Sequence, residues 1–113
     1  MKRGQIWWAD LAEPRGSEPG LRRPVVIVQD DLLTDSKLAT VMVVPLTTQM
    51  RRAKALGNVA LSPRDSGLPV PSVAMVCQVI TVDKSLLADL VGSLPRRAMQ
   101  AVDAGLRIAL DLA

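Results

Sequence analysis

Hydrophobic residues occur along this chain mostly in short runs, separated by clusters of proline, glycine and small polar residues, a pattern typical of short β-strands. The runs at 24–28 and 40–46 are rich in β-branched residues and too short for helices, and we expect the first to be largely buried. Residues 30–37, between these two runs, are predicted to hold one helical turn. The pattern as a whole predicts strands at residues 6–11, 24–28, 40–46, 58–61 and 72–82, with a turn at 62–67.

The pattern changes to helical spacing near the C-terminus, from Pro95 onward. Ser93 is the predicted N-cap of this helix, and Pro95 is expected in its first turn. Gly105 should weaken the helix by about 1 kcal/mol relative to alanine, and it would permit close packing. The apolar positions that carry the helical spacing are Ala98, Met99, Val102, Leu106, Ala109 and Leu112.

Several short strands followed by one helix predict a mainly β, α+β protein: a small, mostly antiparallel barrel or sheet with the C-terminal helix packed against it. The length of 113 residues fits a single domain over residues 1–113. The longest nearly apolar stretch, residues 68–80, is broken by Pro69 and Pro71 and is too short to span a membrane. The first residues lack a secretory signal, and the single Cys77 fits a reducing compartment, so we expect a cytoplasmic protein.

The composition excludes several classes of enzyme. The chain has no histidine, so a zinc enzyme, a serine hydrolase and a two-histidine ribonuclease are set aside, and no metal or other cofactor is expected. Trp7 and Trp8 are the only aromatic residues, which disfavours an RNA-recognition sheet that stacks bases on exposed rings. Candidate chemistry must therefore come from arginine, lysine, carboxylate and hydroxyl side chains.

Positive charge is concentrated in the first part of the chain. Residues 1–64 carry ten Lys/Arg and six Asp/Glu, whereas residues 65–113 carry four and five. Arginines on loops suit contact with phosphate, but ordinary surface charge explains the same composition equally well. The predicted loop clusters are Arg15, Arg22 and Arg23, and then Arg51, Arg52, Lys54 and Arg64.

Polar side chains cluster at predicted strand ends. The stretch 16–24, just before the second buried run, contains Arg22 and Arg23, and Thr47 and Thr48 follow the run at 40–46. If an arginine and a threonine converge, the guanidinium group and the hydroxyl would together bind a phosphate. The alternative is that Arg23 pairs with a nearby carboxylate and that Thr47 and Thr48 simply end a strand.

Four motifs, in the same order and at the same spacing, resemble the MazF/PemK/Kid family of type II toxin endoribonucleases (mRNA interferases). They are KRGQIWWADL at residues 2–11, GSE at 16–18 with RPVVIV at 23–28, VPLTTQ at 44–49, and CQVITVDK at 77–84. The resemblance implies a small SH3-like barrel that acts as a homodimer and cuts single-stranded RNA at short sequences without a metal. It also implies inhibition by a cognate antitoxin.

The resemblance implies roles for residues at the predicted site. Arg23 and Thr47 match the catalytic pair of the family, and Glu18 matches an acid in the preceding loop. The implied reaction is attack of the RNA 2′-hydroxyl on the adjacent phosphorus, which gives a 2′,3′-cyclic phosphate and a 5′-hydroxyl. Glu18 would act in it as the general base, or would only orient Arg23.

Further residues are predicted to bind RNA. Ser17 matches a hydroxyl near the scissile phosphate, and Ser72 and Gln78 match positions that contact bases. Cys77 stands where some relatives have an acidic residue, so base preference cannot be carried over. The predicted RNA-binding residues are Ser17, Arg22, Arg51, Arg52, Lys54, Ser72 and Gln78.

The expected partners follow from the charge and the resemblance. They are single-stranded RNA (mRNA, with tRNA and rRNA as further candidates), an acidic MazE-like antitoxin that pairs with the basic loops, and a second copy of the chain. Two alternatives remain open at the level of sequence. A CcdB-like gyrase poison of the same fold would act through the terminal helix and need no pairing of Arg23 with Thr47, and a noncatalytic RNA-binding barrel would use the same basic loops.

Overall fold

The computed structural model describes residues 1–12, 16 and 21–113. Within that part of the chain it contains seven β-strands and three short or medium α-helices. The strands are β1 (Gln5–Leu11), β2 (Leu21–Ile27), β3 (Thr40–Thr47), β4 (Val59–Leu61), β5 (Ser72–Ala74), β6 (Ile80–Asp83) and β7 (Leu87–Ser93). The helices are α1 (Asp31–Thr34), α2 (Pro63–Ser66) and α3 (Arg96–Ala109), with 3-10 helices at Met50–Lys54, Val76–Gln78 and Lys84–Leu86.

The strands form an antiparallel half-barrel with β3 at its centre. The order of hydrogen-bonded strands is β4, β5, β3, β2, β1, β7, and β6 also pairs with β3. One edge of β3 holds β2, while its other edge holds β6 along residues 40–43 and β5 along residues 46–47. The predicted small, mostly antiparallel barrel with a C-terminal helix is therefore confirmed.

The central strands β2 and β3 are buried on both faces, which explains their continuous β-branched sequences. Val26 and Val44 face the core beneath α3, and they pack in one cluster with Ala98 and Val102 of that helix. The neighbouring residues along β2 and β3 point the opposite way, because side chains alternate along a strand. They form a second cluster that contains Val25, Ile27, Val41, Val43 and Val82.

Several element boundaries differ from the predictions. Strand β2 starts at Leu21, three residues before the predicted run, and the predicted strand at 72–82 is divided by the 3-10 helix Val76–Gln78. Strand β7 was not predicted, because most of its residues are exposed and its hydrophobic pattern does not alternate. The predicted N-cap Ser93 is wrong: Ser93 is the last residue of β7, and Pro95 occupies the N-cap position of α3.

Arg3 connects helix α3 to the barrel through hydrogen bonds. Its guanidinium group donates to both carboxylate oxygens of Asp103, at 2.7 and 3.3 Å, and to the carbonyl oxygen of Val28 at 2.8 Å. Its backbone N–H donates to Asp31 Oδ1 at 2.7 Å. A single residue thus connects α3, the end of β2 and α1. The described helices include none that is long and apolar enough to cross a membrane.

A contact between two glycines sets the position of α3 against the loop before β4. Gly57 has a φ of +88°, and a Cβ atom built on Gly105 would overlap the Gly57 carbonyl oxygen. The backbone of the helix and the backbone of the loop approach each other directly at this point. The predicted role of Gly105 in close packing is confirmed.

Replacing Gly105 with alanine should therefore destabilise the protein, although alanine is the better helix former by about 1 kcal/mol. The added methyl group forces the helix and the loop apart, and we expect the free energy of unfolding to fall by about 1–3 kcal/mol, measured by urea denaturation. Ala104→Gly, at the exposed neighbouring position, is the control and should cost about 1 kcal/mol through helix propensity alone. A Gly105→Ala protein more stable than the wild type would contradict this contact.

Candidate active site

The structure brings Arg23 and the end of β3 together. Residues of β2 and β3 pair as Val25 with Pro45 and Val26 with Val44, and Arg23 and Thr47 lie two residues beyond the Val25–Pro45 pair on their respective strands. The Arg23 side chain is partly buried, and its Nη1 atom donates to the carbonyl oxygen of Leu46 at 3.3 Å. The guanidinium group therefore lies against the peptide unit that joins Leu46 to Thr47.

The Thr47 hydroxyl is held by the backbone that follows it. Thr47 is the last residue of β3 and is partly exposed. Its Oγ1 atom accepts a hydrogen bond from the backbone N–H of Gln49 at 3.2 Å. A threonine hydroxyl can accept and donate at once, so the Thr47 proton is available to another acceptor.

The 3-10 helix Met50–Lys54, here called the arginine turn, brings further positive charge to this edge of the sheet. Gln49 precedes it, and its side-chain Oε1 accepts from Arg51 Nη2 at 3.4 Å and from Arg52 Nε at 3.3 Å. The backbone N–H of Arg52 donates to the Gln49 carbonyl oxygen at 3.0 Å. Arg51 and Lys54 are exposed, and Arg52 is partly buried.

Burial and a neighbouring charge act on Arg23 in the same direction. Desolvation lowers the pKa of the Arg23 guanidinium, and the positive charge of Arg52 lowers this pKa further. An arginine keeps its proton at neutral pH even so, and two cations are thereby held near each other. A bound anion would lower the energy of both, so the chemistry of this edge suits a phosphate group.

Asn58 connects the arginine turn to the 3-10 helix that contains Gln78. Its Nδ2 atom donates to the Arg52 carbonyl oxygen at 3.0 Å, and its Oδ1 atom accepts from the backbone N–H of Cys77 at 3.4 Å. Gln78 follows directly and is partly exposed. The Asn58 side chain thus connects the arginine turn to Cys77, the residue before Gln78.

Arg22 lies apart from Arg23, although the two are adjacent in sequence. Neighbouring residues of a strand point to opposite faces, and Arg22 pairs with Asp89 at 3.0 Å and with Asp10 at 3.5 Å. Its guanidinium carbon also lies 5.2 Å from the centre of the Trp8 ring. The hydrogen bond to Asp89 raises the pKa of Arg22, the opposite of the shift at Arg23. The expectation that Arg22 joins Arg23 in one basic cluster is not met.

The position of Ser72 also does not match its predicted role of contacting bases. Its side chain is buried, with 2% of the residue exposed, and the hydroxyl donates to the Val70 carbonyl oxygen at 3.3 Å. In this conformation the Ser72 side chain faces its own strand and loop. A contact with a base would require that segment to rearrange.

Two predicted residues, Ser17 and Glu18, lie outside the described residues, as does Arg15. In the rest of the chain, residues 1–12, 16 and 21–113, no group of three or more Asp, Glu or Cys side chains is arranged to hold a metal ion.

Sequence reasoning missed Gln49 and Asn58, which hold the site together. Both side chains are amides. The Gln49 side chain accepts a hydrogen bond from Arg52, and the Asn58 side chain connects Arg52 to Cys77. Gln49 lay inside the quoted VPLTTQ motif, and Asn58 stood at the start of a predicted strand. Both residues are close to Arg51 and Arg52 in sequence, but closeness in sequence does not show that their side chains bond to the arginine turn.

The half-barrel, with a hydroxyl and guanidinium groups at one strand edge, defines a small β-protein with a candidate phosphate-binding site. The profile of one family, described as PemK-like, MazF-like toxin of type II toxin-antitoxin system, matches residues 2–110. The chain belongs to this PemK/MazF toxin family, as the motifs predicted.

Individual relatives agree with that assignment. The chain is 43% identical to endoribonuclease MazF6 of Mycobacterium tuberculosis over 112 residues, which cover 99% of this chain and 98% of the relative. It is 35% identical to endoribonuclease EndoA of Bacillus subtilis, again over 99% of this chain and 96% of the relative.

Solved structures share the fold. An endoribonuclease from Mycobacterial species, in complex with its cognate antitoxin, superposes with a TM-score of 0.81 at 27% identity, covering 100% of this chain and 97% of the other. The Mycobacterium tuberculosis toxin MazF-mt6 superposes with a TM-score of 0.79 at 26% identity, covering 96% and 98%.

Inorganic phosphate should bind at Arg23 and Arg52 in preference to Arg22, because only the first two are neighbouring cations at the same edge. Titration of phosphate into ¹⁵N-labelled protein should shift the Nε–Hε NMR signals of Arg23 and Arg52. Arg22, already bonded to two carboxylates, serves as the internal reference and should shift little. Equal shifts at all three arginines would show nonspecific ion binding and contradict the site.

Proposed function

We propose that this protein is the toxin of a type II toxin-antitoxin system and acts as a sequence-specific, metal-independent endoribonuclease on single-stranded RNA. The observation that carries the proposal is the hydrogen bond from the Arg23 guanidinium to the Leu46 carbonyl oxygen, which brings Arg23 next to Thr47 at the edge where the arginine turn begins. The class of enzyme is also supported by relatives of nearly full length that are named endoribonucleases.

In the proposed reaction the RNA 2′-oxygen forms a bond to the adjacent phosphorus while the bond from phosphorus to the 5′-oxygen breaks. The products are a 2′,3′-cyclic phosphate and a 5′-hydroxyl. Negative charge builds on the nonbridging oxygens in the transition state, where fixed hydrogen-bond donors stabilise it most. The Arg23 guanidinium and the Thr47 hydroxyl are those donors, and no step needs a metal ion.

Two proton transfers complete the reaction. The 2′-hydroxyl must lose its proton, and the departing 5′-oxygen must gain one. Arg23 stays protonated even with its pKa lowered by burial and by Arg52, so it is suited to stabilise negative charge on the leaving 5′-oxygen, which takes its proton from solvent water. We assign the role of general base to the Glu18 carboxylate. The alternative role of Glu18 is to orient Arg23 without taking the proton.

The other contacts to RNA follow from position. Arg51, Arg52 and Lys54 on the arginine turn would contact backbone phosphates, which favours binding to any RNA sequence. Gln78 would contact a base through its amide, and Ser17 and Ser72 stay predictions for further contacts. Arg22 is excluded from this proposed surface, because it pairs with Asp89 on the other face of β2.

We further propose that residues 1–113 form a single domain that acts as a homodimer in the cytoplasm. Two copies of the small half-barrel would extend the basic surface along which an RNA strand lies. An acidic antitoxin resembling MazE would cover the same basic edge and exclude RNA. The mycobacterial structure with its cognate antitoxin supports such a partner.

Purified protein should cut single-stranded RNA in the presence of excess EDTA. Replacing the 2′-hydroxyl at a mapped cut site by hydrogen should stop the cut at that position, because the nucleophile is gone. Sequencing the ends of total bacterial RNA after treatment locates the sites and shows whether mRNA, tRNA or rRNA is cut. Loss of all cleavage in EDTA would refute the metal-free reaction, and binding without cleavage would point to the RNA-binding barrel.

Removing either proposed donor should lower the cleavage rate by about 10²–10³-fold while the fold is retained. The changes are Arg23→Ala and Thr47→Val, assayed by single-turnover cleavage together with circular dichroism. Arg22→Ala is the matched control, since it removes an adjacent arginine from the opposite face.

Expression in bacteria without an antitoxin should arrest growth with the wild type but not with Arg23→Ala. Equal arrest by both forms would favour the gyrase poison.

A further inference from the structure

Gln49 contacts both halves of the candidate site. Its backbone N–H donates to Thr47 Oγ1 at 3.2 Å. Its side-chain Oε1 accepts from Arg51 and Arg52, and its carbonyl oxygen accepts from the Arg52 N–H at 3.0 Å. The proposed catalytic hydroxyl and the arginine turn are therefore hydrogen-bonded to the same residue.

We propose that Gln49 is the positioning residue of the RNA-cleavage site: its N–H aims the Thr47 hydroxyl, and its amide oxygen holds Arg51 and Arg52 without neutralising them. This inference rests on the proposed function and adds to it a residue that touches neither the scissile phosphate nor a base. Gln49 acts through its neighbours, and its two roles can be separated by substitution.

The first role concerns the direction in which Thr47 donates. A hydroxyl has one proton and two lone pairs, and the Gln49 N–H occupies one lone pair. The Thr47 proton must point away from that N–H, so the directions in which the hydroxyl can donate are restricted. The bond also polarises the hydroxyl, which makes it a better donor to a phosphoryl oxygen.

The second role concerns the charge of the arginine turn. Gln49 Oε1 uses one N–H of Arg51 and one of Arg52, out of the five that each guanidinium group carries. A carboxylate at this position would hold the same side chains but would cancel positive charge that phosphates need. A neutral amide orients Arg52 and preserves its charge, which acts on Arg23 across the site.

The side-chain role is tested by comparing Gln49→Ala with Gln49→Glu. Binding is measured with a short RNA that carries a 2′-deoxy residue at its mapped cut site, so that it cannot be cleaved. Gln49→Ala should weaken binding by about threefold to tenfold, because the guanidinium groups lose their acceptor. Gln49→Glu should restore the orientation but lower the slope of log affinity against log salt by about 0.7 for each RNA phosphate that the arginine turn no longer neutralises.

The backbone role is tested by Gln49→Pro, which removes the N–H as well as the side chain. The φ of Gln49 is −76°, within the range that proline adopts, and its carbonyl oxygen remains to accept from Arg52. The single-turnover cleavage rate should fall about tenfold below that of Gln49→Ala. In a Thr47→Val background the two variants should cut at the same residual rate, because the N–H then has no hydroxyl to aim.

Gln100→Ala, at an exposed position on α3, is the control and should bind and cut like the wild type. Circular dichroism and urea unfolding identify any variant that fails to fold; should Gln49→Pro do so, the alanine and glutamate variants still decide the side-chain role. A wild type that cuts RNA while Gln49→Ala and Gln49→Glu match Gln100→Ala overturns this inference alone. A wild type that neither binds nor cuts RNA overturns the proposed function and this inference with it.

Discussion

The antiparallel pairing of β2 with β3 is the constraint on which the candidate site depends. Val25 pairs with Pro45 and Val26 with Val44, and all four residues are buried. A slip of one residue would move each of these side chains from one packed cluster into the other, so the close packing of the two clusters fixes the register. Arg23 and Thr47 lie just beyond this pairing, so the core rather than either side chain fixes the strand ends from which they project.

The same alternation gives two neighbouring arginines opposite surroundings. Arg23 lies against the end of β3, where burial and the charge of Arg52 lower its pKa. Arg22 lies on the other face, where its hydrogen bond to Asp89 raises its pKa. Arg23 and Arg52 are neighbouring cations, whereas Arg22 is paired with two carboxylates. The arrangement needs no difference in residue type, only a difference in strand face.

Sequence reasoning predicted the elements whose burial leaves a strong pattern. The β-branched runs gave β2 and β3, and the helical spacing gave α3, since these elements carry the core. Strand β7 was missed because it is held by pairing with β1 and has few buried side chains to reveal it. The helix start was misplaced because Ser93, a good cap by composition, is used as the last residue of that strand.

The site was predictable only in part. Motifs indicated Arg23 and Thr47, the clustering of charge indicated the arginine turn, and membership of the PemK/MazF toxin family is confirmed. The roles of these residues, like that of Glu18, remain predictions. The face on which Arg22 lies and the burial of Ser72 depend on strand register and tertiary contacts, which residue type does not reveal. The hydrogen bonds of Gln49 depend on how the chain turns after β3, and no periodicity in the sequence records such a turn.

The contact of Gly57 with Gly105 has a consequence for how sequences of this kind can vary. The arginine turn leads into the loop that holds Gly57, and that loop rests on the backbone of α3. We therefore expect these two positions, distant in the chain, to vary together: a residue larger than glycine at 105 would require the loop around Gly57 to move. Sequence changes on this face of α3 would then be linked to changes in the arginine turn through backbone contact rather than through side chains.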